Sequence, residues 1–138
     1  MFLDDLITKL TSAGLGVYGT SLFKGSKAVL PTGSGPLISV ISTGGLEDEG
    51  THNLSSETIA YERPSAQVIC RATDAVDAEA ASIAAAVALT FTNEFINGTW
   101  WRLCKPAQPP FELPPDAQNR VRYVFNVECV KRLSPATS

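Results

Sequence analysis

His52 is the only histidine in the chain, so acid–base or metal chemistry would have to be built on it or on carboxylates. It sits in an acidic stretch with Glu47, Asp48, Glu49 and Glu57. Loop carboxylates are ordinarily just solvated, and no nucleophile-bearing turn adjoins the imidazole, so neither a metal site nor a catalytic dyad is expected. GSGP and TGG border strand-like residues instead of opening a helix, and the Lys and Ser/Thr of a phosphate-binding loop are missing at the required spacing. Of the other paired carboxylates, Asp74 and Asp77 are accounted for by a helix N-terminus and its dipole, and Asp4 with Asp5 requires no acid/base role. Cys70, Cys104 and Cys129 lie far apart in strand-like segments, an odd number that fits neither a disulfide framework nor a zinc site. They read as small buried hydrophobes in a reducing compartment. The expectation is a chain with no catalytic residue, no cofactor and no metal.

Bulk properties narrow the classes further. A chain of 138 residues suits one domain, read here as residues 1–132 with a frayed tail at 133–138. Charged residues make up 18% against an ordinary apolar content, which suits a surface engaged in extensive contacts. A net charge of −3 argues against a sequence-reading nucleic-acid binder, which would carry a clustered basic face. The N-terminus is acidic and its apolar run too short for a signal peptide, and no apolar run reaches membrane-spanning length, so a soluble, non-secreted protein is expected.

The elements that would position any functional residue centre on Tyr61 to Asn97. Ala66, Val68, Cys70 and Ala72 alternate with Gln67, Ile69 and Arg71 in the two-residue period of a half-buried strand. An alanine-rich run follows, with Asp74 as N-cap and Gly98 after the last turn, so one long helix is expected. Val76, Ala80, Ile83, Ala84, Val87, Phe91 and Phe95 form the stripe expected to face the core. The opposite face carries Ala78, Ser82, Ala85, Leu89 and Ile96 where a surface helix would carry Lys and Glu. Either alanine here simply tolerates water, or a partner covers Ala78, Ala85 and Leu89.

Before this centre, Phe2 to Thr11 has the spacing of a short amphipathic helix stopped at Gly14 and Gly16. Val17 to Lys24 and Leu37 to Thr43 read as strands of a meander. Thr43 to Glu62 is polar and long enough to be a projecting loop. After it, TWWRLCK and NRVRYVFNVECVKR are strands, the second with Val121, Tyr123, Phe125, Val127 and Cys129 on one side. Between them KPAQPPFELPPDAQ holds five of the nine prolines, and its Phe111 is an anchor either for the domain's own core or for a partner. Trp100 and Trp101 must point to opposite faces, one into the core and the other towards an interface or a covering loop. The fold class is therefore α+β: a mostly antiparallel sheet of about five strands, a short N-terminal helix and one long helix on one face, and two long projecting loops.

YERPSAQVICRA, a long Ala-rich helix ending in FINGTWW, a proline-rich connection and a final RVRYVFNVECVKR strand together resemble the minor capsid or tail terminator proteins of tailed bacteriophages. The resemblance covers roughly residues 1–132. It implies a structural virion protein, made in the host cytoplasm, that forms a ring, typically of six subunits, on the head-proximal end of the tail tube. Its partners would be its own copies, the tail tube protein and a head-side connector or neck protein, with DNA only passing through the lumen. No membrane is involved. Candidate interface residues are Glu47, Asp48, Glu49, His52, Glu62, Arg63, Ala78, Ala85, Leu89, Trp101 and Phe111. A head-completion or neck protein, and a ferredoxin-like module for a small ligand, are the alternatives; the latter would need a concave pocket with convergent polar groups.

Overall fold

Side-chain alternation sets the sheet, and glycine and asparagine at positive φ set its turns. The computed structural model describes residues 2–25, 36–47, 61–115 and 119–132. In order these form α1 (Phe2–Ser12), β1 (Leu22–Lys24), β2 (Leu37–Glu47), β3 (Tyr61–Ala72), α2 (Ala75–Ala88), β4 (Phe91–Ile96), β5 (Thr99–Pro106), β6 (Phe111–Leu113) and β7 (Val121–Arg132). The strands make one seven-stranded sheet in the order β1-β2-β3-β7-β5-β4, with β6 also paired to β7. The α+β class is as expected, and so are the helices on one face.

The centre of the sheet follows the sequence pattern closely. β3 and β7 run antiparallel from Tyr61 opposite Arg132 to Ala72 opposite Val121. Ala66, Val68 and Cys70 face Val127, Phe125 and Tyr123 across the pair. All of these except Tyr123 are fully buried. The opposite side of the sheet is not wholly polar, since Ile69 and Val124 are also buried there.

Four expectations are corrected. The long helix ends at Ala88, and the residues after it turn into a strand. Asn97 and Gly98 have φ of 50° and 82°, the pair of left-handed residues a two-residue type I′ hairpin requires, so FTNEFI folds back on TWWRLC as β4 against β5. β1 lies parallel to β2, with Leu22 opposite Ile38, in place of the expected meander. β2 continues past Thr43 to Glu47 opposite Glu62, through an irregularity between Ser42 and Gly44, and the remainder of the expected projecting loop, residues 48–60, lies outside the described residues. Finally, the strands number seven instead of about five, the additions being the short β4 and β6. Residues 133–138, read as a frayed tail, lie outside the described residues.

α1 is closed at its C-terminus by two backbone bonds, Leu15 N–H to Leu10 O at 3.1 Å and Gly14 N–H to Thr11 O at 3.0 Å. That is a Schellman closure with Gly14 at φ 78°. Its apolar stripe, Leu6, Ile7 and Leu10, is buried. The helix touches β1 and β2 on one side and β4 on the other, so the two outer strands of the sheet curl towards each other around it.

Polar contacts fix α1 in that position. The buried Asp5 carboxylate accepts from Trp101 Nε1 at 2.9 Å and from Asn97 Nδ2 at 2.9 Å. Lys9 pairs with Glu94 of β4 at 2.7 Å and lies 4.6 Å from the centroid of the Phe91 ring. Asp4 pairs with Lys24 of β1. Phe2 and Phe91 each place their ring centroid 5.7 Å from that of Trp101. Trp101, the largest fully buried side chain, is thus held by rings on two sides and by a carboxylate on its one polar atom.

The three thiols are buried as expected. Burial pushes the Cys70 thiol up to about 12. Cys129 donates to Cys104 across the β5–β7 pair at 3.6 Å, and that hydrogen bond, followed by burial, also pushes its thiol upward.

Two predictions follow from this packing. Asp5→Ala leaves the Trp101 indole N–H and the Asn97 amide without their acceptor and is expected to cost about 3 kcal/mol in urea unfolding. Lys9→Ala, at a partly exposed ion pair, costs about 1 kcal/mol; equal effects of the two would mean that Asp5 does not anchor the helix. The second concerns pH. Cys70 keeps its proton in the folded chain but loses it from about 9 upward when unfolded, so its contribution is complete below pH 9 and is lost as pH rises towards 12. Stability should fall by about 1.4 kcal/mol per pH unit in that window from this thiol alone, and Cys70→Ala should flatten the slope.

Candidate assembly interface

α2 begins where the Asp74 side chain accepts from Val76 N–H at 3.0 Å, as its sequence position predicts. Fourteen residues later it ends, with Thr90 Oγ1 donating to Ala86 O at 2.7 Å. It lies on β3 and β7. The side that meets the sheet is Ala78, Ser82, Ala85 and, just past the helix, Leu89, each 0% exposed. These residues recur at the spacing of one helix face, and their small size brings the helix axis close to the pleated surface. The Ser82 hydroxyl, buried among them, donates to Glu79 O at 2.7 Å, which satisfies the only polar atom on that face's side chains.

The expected orientation is therefore reversed. Ala78, Ala85 and Leu89, expected to face either water or a partner, belong to the chain's own core. The stripe assigned to the core faces outward instead: Val76 is 70% exposed, Ile83 53% and Val87 71%. With the exposed Ala80 these lie at i, i+4, i+7 and i+11, the alternating three- and four-residue spacing of a helix that packs against another surface. Asp77 and Glu79 flank the stripe on either side, and no basic residue lies on the helix.

The other sequence-predicted residues fall into separate places. Trp101 is core. Glu62 pairs with the buried Lys131, so it satisfies an internal ammonium. Phe111, on β6 opposite Val124, is 42% exposed. Glu47 ends β2, and Asp48, Glu49 and His52 lie outside the described residues. Arg63 is exposed and lines a hollow on the outer face of the sheet.

That hollow, about 420 Å³, lies over the register where Ser65 and Lys105 flank Glu128 and Leu103 faces Val130. A second one of about 300 Å³ continues it towards Tyr61 and Arg102, sharing Arg63, Leu103 and Val130. Arg102 is an extra residue in β5, at an irregularity in the pairing with β7 between Trp101 and Leu103. Its guanidinium sits 5.7 Å from the Tyr61 ring centroid. The groove thus has an apolar floor and three basic side chains, Arg63, Arg102 and Lys105, against the single acidic Glu128. A third apolar surface is the sheet edge, where Phe95 of β4 is 67% exposed and meets Trp100 edge-on at 4.8 Å.

Sequence reasoning missed Val76, Ile83, Val87, Tyr61, Arg102 and Lys105 as surface candidates. The signal for the first three was present as an apolar stripe but was assigned to the wrong side. Among the described residues no group of His, Cys, Asp and Glu is arranged to hold a metal ion.

Comparison with known proteins bears on this arrangement. The family described as bacteriophage tail terminator protein matches residues 9–132. Comparison with curated proteins gives no match. Among solved structures, a chain in the virion of a native gene transfer agent particle is similar, with a TM-score of 0.57 over 93% of this chain and 92% of that chain, at 17% identity. At that identity the likeness is one of fold.

The reversed helix generates a paired prediction. Ala85→Glu forces a carboxylate into the helix–sheet contact and is expected to lower unfolding stability by about 4 kcal/mol or more. Ile83→Glu, on the outer stripe, should change it by no more than about 0.5 kcal/mol. Thermal or urea unfolding of the two variants distinguishes them, and the opposite ranking would restore the original orientation.

Proposed function

The chain belongs to the bacteriophage tail terminator family, whose members are structural, non-enzymatic virion proteins, and from this we propose that it forms a closed ring capping the tail tube and joining it to the head. The observation that carries the reading is the outward stripe of Val76, Ile83 and Val87. Apolar side chains this exposed on a helix with no basic residue favour coverage by protein over water. Closure by rotation needs two different patches on each copy, and the molecule offers three candidates on different sides: the α2 stripe, the outer groove and the β4 edge.

Within this reading the partners are other copies of the chain, six in the ring as the resemblance implies, together with the tail tube protein on one side and a head-side connector on the other. The chain halts tube growth and presents the surface to which a filled head attaches. DNA passes through the ring at ejection. Glu47, Asp48 and Glu49 are proposed for the lumen or the head side, where carboxylates repel phosphates and let the duplex slide.

The test combines native mass by light scattering with negative-stain imaging and tube growth. Rings with a central hole, and tubes whose lengths stop increasing once the chain is added, are expected. A monomer at every concentration that neither co-sediments with tubes nor changes their lengths would overturn the proposal.

A further inference from the structure

Two surfaces of the chain are complementary but lie on opposite faces of the sheet, so one copy cannot join them. α2 covers the inner face and turns Val76, Ile83 and Val87 outward between Asp77 and Glu79. The outer face carries the groove floored by Leu103 and Val130 and bordered by Arg63, Arg102 and Lys105. One surface is apolar with acidic margins, the other apolar with basic margins. We infer that α2 of one copy seats in the outer groove of the next, apolar stripe on apolar floor, with Asp77 and Glu79 against Arg102 and Lys105.

This inference rests on the ring reading above and specifies which surfaces make its contact. The occupant is a second copy because the charges match and because, among the described residues, the fold of each chain covers neither half. Such a contact is heterologous: every copy uses its helix towards one neighbour and its groove towards the other, so the contact repeats around a rotation axis. Duplex DNA is the competing occupant of a basic groove. It is disfavoured by the apolar floor and by Glu128 within the lining, and DNA would leave the α2 stripe uncovered.

The same arrangement predicts how the surfaces respond to exchange of charge. Arg102→Glu with Lys105→Glu places carboxylates against carboxylates and should weaken assembly of the full-length chain at least about tenfold at low salt. Adding Asp77→Lys and Glu79→Lys to that chain should recover most of the loss, a rescue that mere damage to the fold does not produce. Circular dichroism of each variant verifies folding.

A covalent trap reads the contact even where it is weak. A chain with both Ile83→Cys and Leu103→Cys, concentrated and mildly oxidised, should give a ladder of disulfide-linked multimers on a denaturing gel, whereas either substitution alone should not extend past a dimer. A ladder together with charge rescue supports the docking. Rings by negative stain without ladder or rescue would overturn the docking and leave the ring reading standing. No ladder and no rings would overturn both. Salt-sensitive retention of duplex DNA, abolished by Lys105→Glu while assembly is unchanged, would give the groove to DNA and overturn the docking.

Discussion

The carboxylate of Asp5 ties the two ends of the architecture together. Buried at 1% exposure, it accepts from an indole and from the side-chain amide of the hairpin turn, so its charge is met by two donors at hydrogen-bond distance. Those donors belong to Trp101 and Asn97. The first is the largest element of the core, and the second fixes the turn that folds β4 onto β5. With Lys9 and Asp4 reaching the outer strands on either side, α1 becomes the piece around which the sheet bends. Without it β4 would keep its partner β5 but lose the contacts that hold it over the core.

α2 solves a different packing problem. Its inner side is made of the smallest side chains, which lets it lie near β3 and β7 without displacing Phe125 or Val68. Because the bulk is on the other side, the helix contributes to the core mostly through its backbone and Cβ atoms. The larger apolar groups are available elsewhere. The same choice of residues thus gives a thin, tight layer inside and an exposed apolar ridge outside.

This is also where the sequence was least legible. Both stripes of α2 have a helical period: Val76, Ile83 and Val87 on one side, and Ala78, Ala85 and Leu89 on the other, about 200° apart at 100° per residue. Periodicity says that a stripe exists and not which one faces inward, and burying the bulkier stripe would remove more apolar area from water. The competing constraint was room above the sheet. Asn97-Gly98 is a strong hairpin signal, but it follows a run whose Phe91 and Phe95 also fit the helical period, so the pattern carries the expected helix past its end at Ala88. The acidic Asp74 cap, the β3 alternation and the Val121 to Cys129 side read correctly because each rests on a single local rule with no rival. Of the outer groove only Arg63 was legible, since it meets Arg102 and Lys105 only through the pairing of strands remote in sequence.

The position of Asp5 has a consequence in time as well as in energy. Its partners lie 92 and 96 residues further along the chain. A ribosome that has just released α1 has nothing yet for that helix to dock on, and β3 likewise waits for β7, the last strand. Most of the pairing in this sheet is between remote segments, the kind that forms slowly. During synthesis α1 therefore lacks its Asp5 partners until β5 emerges, and β3 lacks one of its two neighbours until β7 does, so the order of translation, and not only the finished contacts, sets how long the chain is vulnerable to joining its neighbours prematurely.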